Sequence, residues 1–277
     1  MAGDAGVIDL HTHSTASDGQ YPPAEVAARA AASGTLVWSL TDHDTVAGQE
    51  AAAADARRLG VRFVPGIELS VFLDRREIHV LGHFVDPAHP TLKDFEDFLA
   101  DRRRERMAQI VEKLGALGIH VTEADIVAHS GGKTIGRPHI ARALVSAGHV
   151  QTVKEAFDRY LGEGRPAYVT RYRLTAEDAV ALVRGAGGVA TLAHPGVSKI
   201  ERGDLARLKA MGFDGLEVHH PDHVPSQEEK YARIAGELDL VPTAGSDFHG
   251  EVISPDRFLG TTRMDYADLE RLERRRP

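Results

Sequence analysis

Histidines and carboxylates recur along this chain where they could build a metal centre. The first pair is His11-Thr12-His13, entered from the apolar Val7-Ile8 and flanked by Leu10, so it reads as a buried strand. Side chains alternate between the faces of a strand. His11 and His13 therefore point one way, and Leu10 and Thr12 the other. Two imidazoles side by side at a strand end form a ready chelate. Taken alone, an HxH pair is equally well two hydrogen-bonded histidines. Further donors follow at His43, Glu68, His79, His194, Asp247 and His249. Imidazole and carboxylate without sulfur suit Mn²⁺, Fe²⁺ or Zn²⁺. The chain has no cysteine, which excludes disulfides and thiolate sites. Clustered divalent ions acidify bound water, orient an in-line attack and stabilise developing charge, as phosphoester hydrolysis requires.

The elements that must position these groups alternate strand and helix. Pro22-Pro23 opens a helix that ends at Gly34. A strand over 36–40 leads to Thr41-Asp42-His43-Asp44, and an alanine-rich helix covers 47–59. A strand over 61–64 leads to Pro65-Gly66-Ile67-Glu68, and a fourth, over 77–85, has His79 in its middle. The stretch 91–161 shows only helices, at 92–117, 123–129, 138–147 and 152–161. It reads as a helical insertion (91–165) between two parts of a barrel domain (1–90 and 166–277). The βα alternation then resumes, with strands at 188–193, 215–219 and 241–244, and a charged helix ends the chain. Repeated βα units predict a parallel sheet, and this many can close into a barrel whose active residues sit at the C-terminal strand ends. His11, His13, His43, Glu68, His194, Asp247 and His249 all fall at such ends. His79 is the exception.

With these residues in hand, the sequence resembles the polymerase and histidinol phosphatase (PHP) family. The matching pieces are Asp9-Leu10-His11-Thr12-His13-Ser14, Ser17-Asp18-Gly19, Leu40-Thr41-Asp42-His43-Asp44, Pro65-Gly66-Ile67-Glu68, His79-Val80-Leu81-Gly82, Ala193-His194-Pro195 and Gly245-Ser246-Asp247-Phe248-His249. The insertion, with Gly136-Arg137-Pro138-His139-Ile140-Ala141 and Arg165-Pro166-Ala167-Tyr168-Val169, resembles the branch of phosphoesterases acting on 3',5'-bisphosphonucleotides and of related 5'-to-3' oligoribonucleases. The resemblance implies an α/β fold, a distorted seven-stranded (β/α) barrel, with three divalent ions. It assigns His11, His13, Glu68 and Asp247 to one ion. Asp18, His43 and His249 go to a second, and Glu68, His79 and His194 to a third, with Glu68 bridging. Manganese is the ion it favours. The function it implies is hydrolysis of the 3'-phosphate of nucleoside 3',5'-bisphosphates, such as pAp to AMP, with short 5'-phosphorylated oligonucleotides as further substrates. Histidinol phosphate phosphatase is the nearest rival. An amidohydrolase is another, but its bridging modified lysine has no counterpart where Glu68 stands. A metal-stabilised binding module without turnover is the rival from outside enzymology.

Arg137 and His139 flank Pro138 at a helix start, where N–H groups and the helix dipole favour an anion. They are candidates to bind a substrate phosphate, with Lys133 behind them. Arg102 and Arg106 share a helix face. They read either as phosphate ligands or as a solvated face paired with Asp101 and Glu105. His83 lies on the face of His79, in the site or simply packed. Asp44 could orient an imidazole or shape a turn. Glu217, His219, His220 and His223 read as rim or surface residues, and Arg274–Arg276 as a disordered or solvated tail. The net charge of −8 argues against coating duplex DNA. It is compatible with an anionic substrate, because metal ions reverse the local sign. No apolar run is long enough for a membrane span, and the N-terminus lacks a signal peptide pattern, so a cytoplasmic location is expected. The sequence is silent on oligomeric state.

Overall fold

The computed structural model describes residues 5–129 and 136–277. Lys133 lies outside them. The chain divides into two compact units, Met1–Lys93 with Arg173–Pro277, and Asp94–Tyr172. The strands are β1 (Ala5–Gly6), β2 (Ile8–Asp9), β3 (Val37–Leu40), β4 (Arg62–Leu73), β5 (Arg76–His83), β6 (Leu174–Thr175), β7 (Val189–Leu192), β8 (Gly215–His219), β9 (Val241–Ala244) and β10 (Met264–Asp265). The helices are α1 (Pro23–Ala32), α2 (Gln49–Arg58), α3 (Pro90–Ala116), α4 (Glu123–Ala128), α5 (Arg137–Ser146), α6 (Val153–Ala156, continued by a π turn Phe157–Leu161), α7 (Ala176–Gly185), α8 (Arg202–Ala210), α9 (Pro225–Glu237) and α10 (Tyr266–Glu273).

The first unit is a distorted, nearly closed barrel with strand order β2-β3-β4-β5-β7-β8-β9. The two ends of that order meet just beyond the regular strands. Leu10 N donates to Ala244 O at 3.0 Å, Asp247 N to His11 O at 2.8 Å, and His13 N to Phe248 O at 2.9 Å. The segments that close the barrel are thus the ones that carry His11, His13 and Asp247. β3 shows why the wall holds. Its Val37 joins an apolar layer with Ile8, Val64, Val189 and Val241. Its Trp38 and Leu40 pack with Val26 and Ala30 of α1 and with Ala52 and Ala56 of α2. A strand covered on both faces must be apolar along its length, as Val-Trp-Ser-Leu nearly is.

The sheet is not wholly parallel. β5 runs antiparallel to both β4 and β7. Only Asp74 and Arg75 separate β4 from β5, far too few residues for the crossover that parallel neighbours need. Asp74 takes the left-handed conformation at φ 57° that a tight turn demands. β4 also continues to Leu73, well past Glu68, so Glu68 sits in mid-strand and not at a strand end. Its level still matches the ends of its neighbours, because His43, just after β3, bridges to Glu68.

The C-terminal tail is docked, not disordered. Leu269 and Leu272 of α10 join the apolar layer of the barrel. Arg275 holds both oxygens of Asp239 at 2.6 Å, and Arg276 Nε donates to Gly187 O at 3.0 Å. The second unit has its own core, in which Met107, Ile110 and Leu114 of α3 pack with Ile126, Ile140, Leu144 and Leu161. Among the described residues, no helix is long and apolar enough to cross a membrane.

His83, on the inward face of β5, packs below the cluster of donors. Its Nε2 donates to Leu10 O at 2.9 Å and its Nδ1 accepts from Thr191 Oγ1 at 3.2 Å. Burial pushes its pKa down to about 4. Between that value and the ordinary 6.5 the unfolded chain binds a proton that the folded one refuses, so His83 costs stability as pH falls through this window. From pH 7.5 to 5 the loss is about 2 kcal/mol. A His83→Gln variant should therefore lose about that much less than the wild type in urea unfolding at the two pH values. Parallel losses would show that His83 does not titrate there.

Candidate metal centre

The β4–β5 pleat aims the central donors inward. Glu68, Ser70 and His79 share one face because Ser70 stands opposite His79 in the register. Glu68 is fully buried and its two oxygens face different partners. Oε2 lies 3.3 Å from His11 Nε2, 3.1 Å from His13 Nε2 and 3.1 Å from His43 Nδ1. Oε1 lies 2.9 Å from His79 Nδ1 and 3.4 Å from His194 Nε2. Asp247 Oδ1 faces His11 and His13 Nε2 at 3.4 and 3.1 Å. Asp18 Oδ1 faces His249 Nε2 at 3.3 Å, and its Oδ2 faces His43 Nε2 at 3.8 Å. The fold thus gathers His11, His13, Asp18, His43, Glu68, His79, His194, Asp247 and His249 around one hollow. Its open side lies at Asp18, His43 and His79, whose side chains are 56%, 23% and 24% exposed.

Buried polar atoms beneath this hollow hold it in shape. Asp42 accepts from Ser14 N, Ser14 Oγ and Ser17 Oγ at 2.8, 2.6 and 2.6 Å, which fixes the loop bearing Asp18. Asp44 serves the bend, accepting from Ser70 N at 3.1 Å. Glu217 is not a rim residue, since it is fully buried against His11 and His194. His220 and His223 are also buried, and His220 Nε2 lies 3.4 Å from Asp247 Oδ2. Arg257, which the sequence did not flag, grips the same Asp247 Oδ2 and donates to Asp222 Oδ2 at 2.6 Å. A carboxylate in the middle of an apolar strand, as in Gly215-Leu216-Glu217-Val218, is the one local signal that could have exposed Glu217 as buried. The backbone at His194 and Asp247 is left-handed, with φ 24° and 49°. Such strain collects where side chains must be aimed.

In the second unit, Arg102 pairs with Glu105 at 2.9 Å, while Arg106 turns inward and donates to Val169 O at 2.9 Å. Arg137 donates to Leu161 O at 3.2 Å and lies over Phe157 and Tyr168. Burial, then the nearby Arg137, lowers the Arg106 pKa. His139 Nδ1 accepts from Gly136 N at 3.0 Å and so caps α5.

The charges of the hollow are strongly coupled. Burial disfavours ionised Glu68, yet His43, His11 and His79 hold its carboxyl well below the usual range. Burial would also depress His13 and His79. Asp247 and Glu68 instead raise His13 to about 9, and Glu68 raises His79 to about 10. For His43 desolvation wins, and its pKa drops to about 4. Buried atoms without a hydrogen-bond partner include both Glu68 oxygens, both His13 nitrogens and His11 Nε2, His43 Nδ1, His79 Nδ1 and His194 Nδ1. So many buried orphans are costly unless something else satisfies them. Groups of three or four of these donors converge within the span of a single ion. The donor set fits divalent metal.

A PHP domain model matches residues 9–163. The chain belongs to the PHP family. It is 39% identical over 247 residues to a 3',5'-nucleoside bisphosphate phosphatase of Chromobacterium violaceum, covering 87% of each chain. It is 37% identical over 245 residues to a 5'-3' exoribonuclease of Haemophilus influenzae, covering 87% of this chain and 89% of that one. A solved structure from Bifidobacterium adolescentis, proposed to be a metal-dependent phosphoesterase, superposes with a TM-score of 0.77 at 30% identity, covering 99% and 98% of the two chains. The PHP barrel is therefore shared along nearly the whole length.

A ligand that binds only the folded state stabilises it by about 2.7 kcal/mol at about 100 times its Kd. Mn²⁺ should raise the melting temperature of chelator-treated protein by about 5–10 °C. Glu68→Gln should lose most of that response. A wild-type melting curve that no divalent ion moves would end the metal-centre assignment.

Proposed function

We propose that this PHP protein removes the 3'-phosphate from nucleoside 3',5'-bisphosphates, and that short 5'-phosphorylated oligonucleotides are its second class of substrate. At the coarser level it is a metal-dependent phosphoesterase, a phosphoric ester hydrolase. The observation that carries the proposal is Glu68, a buried carboxylate whose two oxygens face two separate sets of imidazoles. That arrangement suits bridged ions. In this reading His11, His13, Glu68 and Asp247 hold one ion, Asp18, His43 and His249 a second, and Glu68, His79 and His194 a third. Manganese is the favoured metal. When bound, such ions supply Lewis acidity and lower the pKa of a coordinated water. The chain's own part is to fix the donors, to exclude bulk water at Glu68 and to admit the phosphate past Asp18, His43 and His79.

The substrate class draws on the two relatives that act on nucleotides and on the cations of the second unit. Among the described residues, neither Arg106 nor Arg137 faces a carboxylate. We assign Arg137 and Arg106, with His139 at the start of α5, to the phosphate that is not hydrolysed. Arg102, engaged with Glu105, is the least suited of the arginines to that role. Small nucleotides in the cytoplasm are the partners this reading implies.

Exhaustive chelation should abolish phosphate release, and Mn²⁺ should restore it. Asp247→Asn and His194→Ala should each lose at least about 100-fold. Adenosine 3',5'-bisphosphate should yield 5'-AMP and inorganic phosphate, as read by phosphorus NMR, and histidinol phosphate should be the poorer substrate. Release of the 5'-phosphate first, or a preference for histidinol phosphate, would reject the nucleotide assignment while leaving the phosphoesterase intact.

Arg137→Ala removes a charge-assisted contact of about 1.5–3 kcal/mol. The kcat/KM for the bisphosphate should fall roughly ten- to a hundredfold, because energy from the held phosphate positions the reacting one. A substrate lacking the second phosphate should be far less affected. Equal losses on both would assign Arg137 to folding or to the reacting phosphate.

A further inference from the structure

Glu217 is a second fully buried glutamate of the barrel, and it contrasts with Glu68. Both Glu68 oxygens are buried without a hydrogen-bond partner. Both Glu217 oxygens have one. Oε1 lies 3.0 Å from His11 Nδ1, and Oε2 accepts from the backbone N–H of His194 at 2.7 Å. The side chain is fully buried, and it meets His11 on the ring edge away from the hollow. The opposite nitrogen, His11 Nε2, faces Glu68 and Asp247 at 3.3 and 3.4 Å.

We propose that Glu217 is a positioning residue for the metal centre: it fixes the tautomer and aim of His11 and anchors the backbone that presents His194. The inference rests on the metal-centre reading above. A carboxylate that accepts from Nδ1–H leaves the lone pair on Nε2, the nitrogen turned toward the other donors. The same carboxylate secures the N–H of a residue held at φ 24°, a conformation that would otherwise relax. One buried group thus locks two donors that lie far apart in sequence. The packing also explains Gly245. A Cβ there would come 2.2 Å from His11 Cβ and 2.4 Å from Glu217 Oε1, so any larger residue would pry the pair apart.

The decisive variant is Glu217→Gln, which keeps the shape. An amide can accept at one oxygen only, so its NH₂ must face either His11 Nδ1 or the His194 N–H. In the first case the His11 proton moves to Nε2. In the second the His194 anchor is lost. Wild type and variant, each freed of metal and shown to be folded by circular dichroism, are titrated with Mn²⁺ by electron paramagnetic resonance. The Zn²⁺-loaded forms are compared by ¹⁵N NMR of the imidazoles. We expect the variant to bind Mn²⁺ ten- to a hundredfold more weakly, with the Nδ1–H signal of His11 lost or displaced. Gly245→Ala should weaken binding in the same direction and serves where the glutamine variant does not fold. Unchanged Mn²⁺ affinity with an unchanged His11 signal overturns the proposal while wild-type binding keeps the metal-centre reading. No binding by the wild type overturns both.

Discussion

Glu68 is a carboxylate where water does not reach, and it faces five imidazoles. A buried charge is tolerated only when opposite charge or hydrogen bonds compensate it. Here the hydrogen bonds are missing, so compensation must come from cations. Protons on His11, His13 and His79 are one supply, which is why these rings are pushed toward their charged forms. Divalent ions are the other. In the proposed centre the two would compete for the same nitrogens, so loading would release protons and affinity would rise with pH until the imidazoles are free.

Holding such a charge in place requires walls that do not yield. The barrel supplies them by closing on itself at the site. The hydrogen bonds that join its first and last strands are made by the backbone of His11, His13, Asp247 and Phe248. Loosening the closure would therefore displace donors, and the centre and the fold share one set of contacts. The antiparallel β5 extends this principle. Because it returns beside β4 after a two-residue turn, His79 is brought opposite Ser70, the next residue on the face of Glu68, by sheet register and not by a loop.

Much of this was legible from residue types and spacing. HxH on an apolar lead, His194-Pro195 after a buried strand and Asp247-Phe248-His249 after another each follow the rule that barrels display chemistry at C-terminal strand ends. The rule misled at Glu68, since nothing in Pro65-Gly66-Ile67-Glu68 says that the strand continues to Leu73. Period-two alternation was the hidden signal, diluted because both faces of the strand are largely covered. The parallel expectation failed for the same hairpin, where Asp74-Arg75 lacks the glycine that usually advertises a tight turn. Asp18 came from family likeness alone, because an exposed Asp in a Ser-Asp-Gly loop is ordinarily a turn residue. The role of Glu217 was misread, and Arg257 was not seen, for a different reason. Their partners are remote in sequence, Glu217 lying 206 positions along the chain from His11, and no local pattern names a partner at that distance.

The chain carries −8, and among the nine gathered donors Asp18, Glu68 and Asp247 are acids. Protons on His11, His13 and His79 balance these three carboxylates but leave no excess positive charge to attract a phosphate dianion. Two or three divalent cations outweigh three carboxylates and reverse the sign. In the proposed centre the charge that attracts phosphate therefore comes with the metal. The net negative charge of the chain disfavours long polyanions at a distance, while a short-range cationic centre still captures a small one. An acidic protein with a metal-dependent positive pocket is thus suited to small phosphate esters.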